Sequence, residues 1–179
     1  MMLANVVRVT FLSFLPVIGL LASSSTILAQ NRPSSEGALN WVGASNGDIP
    51  PDAVVGGSES GRRLYICRAE YNGGVHPGKV VENNCNFGWG GEEILAPFYE
   101  VLTAPRNVRI SWIEASNGWV PAGAIAGGLE ANEDRFICRA SHNNGVHPGK
   151  IVGSNCNISW GGQEILKRNY QVAVLRRNR

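Results

Sequence analysis

The sequence predicts an all-β fold: an antiparallel β-sandwich or prism-like single domain made of two repeats related by a pseudo-twofold axis. Three observations support this class. One unit of about 63 residues occurs twice without a gap. The 22 glycines lie largely in pairs or beside asparagine, which is typical of tight turns between short strands. No stretch of ten residues has a convincing helical period of apolar side chains.

The two repeats occupy residues 41–103 and 112–175, and residues 104–111 connect them. Trp41 matches Trp112, and this offset of 71 positions holds through both repeats, with about half of the paired residues identical. A gapless offset means that every loop length is retained. Each repeat alone is of marginal size for a core of its own. We therefore expect the two repeats to form one compact domain and to pack through equivalent faces.

Turn and strand signals alternate along each repeat. Asn-Gly at 46–47, and again at 117–118, predicts a hairpin turn with positive φ after the first strand. Alternating β-branched and aromatic residues, or longer apolar runs, predict the strands that follow. In chain order the strand candidates are 64–69, 93–102, 107–112, 135–140 and 164–175.

Residues 1–29 have the layout of a secretory signal peptide. A short apolar run at 9–22 follows a basic residue, and small residues lead to a cleavage position after Ala29. The alternative is an uncleaved membrane anchor, but Pro16 and the serines interrupt the run before it reaches the roughly 20 apolar residues of a span. We therefore expect a secreted, extracellular protein with an N-terminal segment at 30–40 and no membrane span after cleavage.

The charge of the predicted mature chain argues against nucleic acid as a partner. Loss of Arg8 from the 16 basic residues leaves 15, against 14 acidic residues. Five of the 15 lie close to the C-terminus, where residues 176–179 form a basic tail. The rest of the chain is mildly acidic, so it lacks the basic surface that nucleic-acid binding requires.

The four cysteines occupy matched positions, which in a secreted chain indicates disulfide bonds. They are Cys67, Cys85, Cys138 and Cys156. Their equal spacing favours a bond within each repeat, although a symmetric pairing between repeats also obeys the repeat. A metal site is the other interpretation, because His76 and His147 lie between the cysteines of their repeats. The spacing is not that of a zinc site, and both histidines precede Pro-Gly, which is typical of a turn. We expect no metal and no cofactor.

The sequence does not indicate an enzyme. It has no Gly-x-Ser-x-Gly elbow for a nucleophilic serine, and the cysteines are better assigned to disulfides. Paired carboxylates could come from Glu59, Glu93, Glu130 and Glu164, but their spacing brings no two of them together as glycoside hydrolysis requires.

Several polar residues are the same in both repeats while the strand positions around them vary. These pairs are Glu59 and Glu130, Arg68 and Arg139, His76 and His147, Lys79 and Lys150, and Glu93 and Glu164. A carboxylate accepts hydrogen bonds from sugar hydroxyls and an ammonium donates to them. Trp89 and Trp160, or Tyr65 and Phe136, could supply an apolar face for a sugar ring. The alternative is an ion pair that only closes a loop.

Two long strings of residues resemble the DM-nine repeat family. They are GGSESGRRLYICRAEYNGGVHPGKVV, followed by WGGEE and YEVL, and GGLEANEDRFICRASHNNGVHPGKIV, followed by WGGQE and YQVAVL. The resemblance covers residues 41–174. It implies a compact antiparallel β domain, and the family includes mannose-specific lectins that form homodimers.

In those lectins an acidic residue after a Gly-Gly turn and the lysine of a Pro-Gly-Lys turn hold the sugar. The resemblance therefore implies ligand-binding roles for Glu59 with Lys79, and for Glu130 with Lys150. Both acids are glutamates, where the family leads us to expect aspartate.

We expect a secreted carbohydrate-binding protein of the mannose-type lectin class, with no catalytic residue. Two histidines and two tryptophans are secondary candidates for ligand contacts: His76, His147, Trp89 and Trp160. The leading alternative is a secreted protein-interaction or structural module. A secreted hydrolase or metal-dependent enzyme is the third.

Overall fold

A computed structural model describes residues 39–176, which form fourteen β-strands and no helix. The strands of the first repeat are β1 (Asn40–Ser45), β2 (Val55–Glu59), β3 (Arg62–Tyr71), β4 (Gly74–Val81), β5 (Asn84–Trp89), β6 (Glu92–Ala96) and β7 (Phe98–Thr103). Those of the second are β8 (Arg109–Ser116), β9 (Ala126–Glu130), β10 (Glu133–His142), β11 (Gly145–Val152), β12 (Asn155–Trp160), β13 (Gln163–Lys167) and β14 (Asn169–Arg176). The all-β prediction is confirmed.

The two repeats interlock through their strands instead of packing as separate units. Strand β2 pairs with β11, β4 pairs with β9, and β6 pairs with β13, so all three of these contacts join different repeats. All recorded pairings between strands are antiparallel. Eight strands close into a ring in the order β2, β3, β4, β5, β6, β13, β12, β11. The predicted single domain of two symmetric repeats follows from this pairing.

Glycine is required where the repeats approach each other. A Cβ at Gly57 on β2 would lie 1.9 Å from the carbonyl oxygen of Val146 on β11, and one at Gly128 on β9 would lie 2.0 Å from that of Val75 on β4. Real side chains do not come this close to backbone atoms. The Gly-Gly pair before each glutamate is therefore a condition for pairing between the repeats.

The core has a matched part in each repeat and a third part that both repeats share. The matched parts surround the disulfides Cys67–Cys85 and Cys138–Cys156, which confirms the pairing within each repeat. The shared part contains Ile66, Leu102, Ile125, Ile137 and Ala173. Because this cluster draws on both repeats, neither repeat buries its apolar surface alone.

Two predictions about turns and strand ends are wrong. Asn46 and Gly47 do have positive φ, at 53° and 83°, but the turn makes no hairpin, because β1 pairs with β7 instead of β2. The predicted strand 93–102 is two strands, since the chain bends at residue 97. Before the bend β6 pairs with β5, and after it β7 pairs with β1 and β3. The predicted strand 164–175 is divided at residue 168 in the same way.

The signal peptide at 1–29 and the basic tail beyond residue 176 lie outside the described residues. The strand predicted at 107–112 is β8, which begins at Arg109. In residues 39–176 no helix is long and apolar enough to cross a membrane.

Candidate functional site

Three of the five pairs of polar residues that are the same in both repeats gather in two clusters, and both repeats contribute to each cluster. The Glu130 cluster contains Glu130, Arg135 and Lys150 from the second repeat with His76 and Trp89 from the first. The Glu59 cluster contains Glu59 and Lys79 from the first repeat with His147 and Trp160 from the second. The acids and lysines predicted to act together are therefore in the same cluster, but their histidine and tryptophan come from the opposite repeat.

Glu130 is held at both of its carboxylate oxygens. The indole N–H of Trp89 donates to Oε1 at 2.8 Å, and Nε of Arg135 donates to Oε2 at 3.0 Å. Lys150 Nζ lies 4.0 Å from the same Oε2. Burial opposes ionisation, but the donors from Trp89 and Arg135 and the charge of Lys150 together lower the pKa of Glu130. The carboxylate is thus ionised at neutral pH.

The hydrogen bonds of His76 fix its tautomer. Its Nε2 lies 3.0 Å from the carbonyl oxygen of Tyr71, which only accepts, so Nε2 carries the proton. The unprotonated Nδ1 then accepts from Lys150 Nζ at 2.7 Å. Burial and the nearby charge of Lys150 lower the pKa of His76, which keeps the imidazole neutral. The ring also stacks on Phe87, with centroids 5.2 Å apart.

Lys150 is a buried ammonium with unused hydrogen-bonding capacity. Only 1% of the residue is exposed, and burial lowers its pKa to about 8. An ammonium has three N–H donors. Among residues 39–176, His76 is the single hydrogen-bond acceptor recorded for it, and Glu130 at 4.0 Å is too far for a hydrogen bond. Two of its three N–H donors therefore have no acceptor recorded among residues 39–176.

The Glu59 cluster repeats most of this geometry, with two clear differences. Trp160 donates to Glu59 Oε1 at 2.6 Å, and Lys79 Nζ donates to Nδ1 of His147 at 3.1 Å. Lys79 also donates to the carbonyl of Ser159. Burial lowers the pKa of Lys79, opposed by the charges of Glu93 and Glu59. No residue takes the role of Arg135 here, because its counterpart is the buried Leu64.

The prediction that the two histidines lie in turns is wrong. His76 and His147 are completely buried in β4 and β11, and the Pro-Gly that follows each lies within the strand instead of forming a turn. Pro77 is tolerated because it lies where the outer neighbour of β4 changes from β9 to β5, so no ladder N–H is needed there. A Cβ on Gly78 would lie 2.2 Å from a carbonyl oxygen on β5, so this strand pair also needs glycine.

The other residues that the sequence suggested as site candidates lie outside the two clusters. Glu93 and Glu164 cross between the repeats, where Glu93 accepts from the backbone N–H of Gly162 and Glu164 from that of Gly91, both at 2.9 Å. These bonds close turns of the opposite repeat and give the two glutamates a structural role. Tyr65, offered as an apolar face, instead packs against the core of the first repeat.

Phe136 likewise packs against the core of the second repeat. Phe87 and Arg135 were not predicted as members of a cluster, because neither residue is the same in both repeats. In residues 39–176 no three side chains of the metal-binding types come together. The cysteines of the metal interpretation are bonded to each other.

Comparison with known proteins identifies one family and one fold. The model of the DM9 repeat matches residues 23–84, 58–153 and 130–179. The crystal structure of the nematode sperm cell motility protein MFP2B is similar in fold, with a TM-score of 0.58 at 16% identity. The similarity covers 78% of this chain and 46% of that chain. No protein with a curated description matches the sequence.

Proposed function

The chain belongs to the DM9 repeat family, and we propose that it is a secreted carbohydrate-binding protein of the mannose-type lectin class, without catalytic activity. One observation carries the proposal. In the Glu130 cluster the buried ammonium of Lys150 lies 4.0 Å from a glutamate that is held by a tryptophan N–H from the other repeat. In the Glu59 cluster a tryptophan N–H holds Glu59 in the same way, and the charge of Glu59 acts on the buried Lys79. This arrangement fits a neutral polyol better than an ion, because it offers donors and acceptors together.

The chemistry of each cluster matches two neighbouring hydroxyls. A carboxylate oxygen accepts from one hydroxyl, and the lysine ammonium donates to the other. Because His76 and His147 fix the lysine positions from buried strands, the donors are already oriented, and little side-chain entropy is lost on binding. The partly buried rings of Trp89 and Trp160 supply an apolar surface next to the carboxylates.

Two clusters in one chain favour binding to branched or repeated glycans. Single monosaccharide sites bind weakly, and a second site in the same molecule raises the effective affinity. A homodimer would double the number of sites. The two disulfides are compatible with an extracellular protein, which supports the proposed secretion.

A glycan array tests the proposal directly. The unchanged protein should bind mannose-bearing glycans, and the double variant Lys79→Met/Lys150→Met should lose that binding. Methionine retains most of the apolar stem, so the core stays filled. Arg106→Met, at an exposed position, is the matched control and should bind normally. Absence of binding to every glycan by the unchanged, folded protein would contradict the proposal.

An exposed apolar surface favours the second candidate, a protein-interaction module. Phe98 is 80% exposed and lies with Leu95 and Leu129 along a groove of about 810 Å³. The second repeat has Asn169 in place of Phe98, so this surface is not a repeated feature. If no glycan binds, capture of protein partners that Phe98→Asn abolishes would support this candidate instead.

A further inference from the structure

The hairpins beside the two clusters carry opposite charges. The turn between β2 and β3 is followed by Arg62 and Arg63, and the turn between β9 and β10 by Glu133 and Asp134. All four positions are exposed. The offset of the repeats makes Arg62 the counterpart of Glu133 and Arg63 that of Asp134. The two clusters are thus presented in different electrostatic surroundings.

The strand register decides which of these charges accompany the glutamates. Glu59 lies directly opposite Arg62, and Glu130 lies directly opposite Glu133. Directly opposite residues of an antiparallel pair project from the same face, with Cβ atoms about 5 Å apart. Arg62 therefore shares the face of Glu59, whereas Arg63, one position along the strand, projects from the other face.

Arg135 increases the electrostatic difference between the Glu59 cluster and the Glu130 cluster. In the Glu130 cluster it donates to Glu130 at 3.0 Å and to Glu133 at 2.9 Å, so the acids of this hairpin are engaged within the protein. In the Glu59 cluster Leu64 replaces it, and Glu59 Oε2 has no recorded hydrogen bond among residues 39–176. Over the same residues Arg62 has no recorded ion pair. With Glu93 and Glu164, whose charges act on Lys79 and Lys150, the Glu59 side has two carboxylates with two cations, and the Glu130 side has three carboxylates with two cations.

We propose that the two clusters have different specificities, and that the Glu59 cluster selects an acidic sugar, a hexose bearing a carboxylate or a sulfate group. Glu59 and Lys79 hold the ring hydroxyls, and the guanidinium of Arg62 pairs with the anionic group. A planar guanidinium suits carboxylate and sulfate oxygens, since both can accept two parallel hydrogen bonds. The Glu130 cluster takes the neutral sugar. This inference rests on the proposed function.

Variants in which only one cluster keeps its lysine test whether the two clusters differ in sugar specificity. Lys150→Met leaves the Glu59 cluster, and Lys79→Met leaves the Glu130 cluster. The probes are methyl α-mannopyranoside, its 6-sulfate and methyl α-mannopyranosiduronate, each titrated by calorimetry. We expect Lys150→Met to bind one or both acidic probes about fivefold more tightly than the neutral one, the size of an exposed ion pair. Lys79→Met should show no such preference. A preference for only one of the acidic probes identifies which anionic group is recognised.

Arg62→Gln and Arg63→Gln form a matched pair, because each removes one exposed arginine from neighbouring positions of β3. In the Lys150→Met background, Arg62→Gln should abolish the acidic preference and leave neutral binding unchanged, whereas Arg63→Gln should retain the preference. The same pair in the otherwise unchanged chain gives the test without a lysine substitution. The preference should also fall in 1 M salt, where charges are screened within about 3 Å.

Two results would overturn the inference and leave the lectin proposal intact. One is equal binding of neutral and acidic probes by Lys150→Met. The other is an equal loss of preference in Arg62→Gln and Arg63→Gln, which would indicate general surface charge. If the unchanged protein binds none of the three probes and no glycan, the proposed function itself fails.

Discussion

The ionisation of Glu130 in the second repeat should depend on Trp89 in the first. Trp89→Phe keeps an aromatic ring and removes the indole N–H that lies 2.8 Å from Glu130 Oε1. A hydrogen bond to a charged group contributes about 1.5–3 kcal/mol, and about 1.4 kcal/mol corresponds to one pKa unit. The side chain of Glu130 is 25% exposed, and Arg135 and Lys150 remain beside it, so the lower value applies. We expect the pKa of Glu130 to rise by about one unit.

The measurement is a pH titration of the Glu130 side-chain carboxyl carbon by NMR. Trp160→Phe is the matched control, since Trp160 donates to Glu59 instead and its loss should leave the pKa of Glu130 unchanged. An unchanged Glu130 pKa in Trp89→Phe, or an equal shift in both variants, would refute the assembly of each cluster from two repeats.

The free energy of unfolding should depend on pH because the pKa of Glu130 is lowered by folding. The pKa of Glu130 is lower in the folded protein than in the unfolded chain, so its ionisation stabilises the fold above its ordinary pKa and this contribution is lost as the pH falls. Trp89→Phe should therefore be less stable at pH 7 by about 1.4 kcal/mol from this source. That part of the difference should shrink as the pH falls below the ordinary pKa of a glutamate and through the lowered pKa of the folded protein. Lost contact with Tyr71, whose ring centroid lies 5.4 Å away, adds a part that does not depend on pH.

Three further predictions concern the framework. Gly57→Ala should destabilise the fold by about 3 kcal/mol or more in urea denaturation, because its Cβ meets a backbone oxygen. Gly43→Ala, with no atom within 4 Å of its Cβ, should be tolerated, and equal effects would contradict the inter-repeat contact. Replacing Cys67 and Cys85 by alanine should cost about 3 kcal/mol, as expected for a separation of 18 residues, and an unchanged denaturation midpoint would refute this. Burial lowers the pKa of Lys150 to about 8, so the unfolded chain binds more protons above that pH. Its contribution to stability should therefore rise by up to about 3 kcal/mol between pH 8 and pH 10, and thermal denaturation of Lys150→Met should lack this rise.

The local signals that were predicted correctly all depend on neighbouring residues. The apolar alternation at 64–69 and 135–140 predicts β3 and β10, since side chains alternate between the faces of a strand. Positive φ at Asn46 and Gly47 follows from the residue types alone. The equal spacing of the cysteines favours bonds within each repeat, and the structure has these bonds instead of the symmetric pairing between repeats.

The wrong predictions of turns concern segments whose strand pairs with a distant part of the chain. His76-Pro77-Gly78 has the composition of a turn, yet it lies within β4, because β9 and β5 share the outer side of that strand. Local composition reports the conformation that a segment prefers in isolation, and pairing with distant strands can outweigh that preference. For the same reason the Asn-Gly turn after β1 does not make a hairpin.

The sequence by itself determined the fold class and the duplication, and resemblance to a family singled out the two acid–lysine pairs. The tertiary structure decided between the two symmetric disulfide pairings. Only the tertiary structure decided which histidine and which tryptophan complete each cluster. Those partners are 41 to 101 positions away along the chain. They meet because β2 pairs with β11 and β4 pairs with β9. Strand order is set by burial of the shared core and by backbone approach at Gly57 and Gly128, and these contacts exist only once both repeats are folded together.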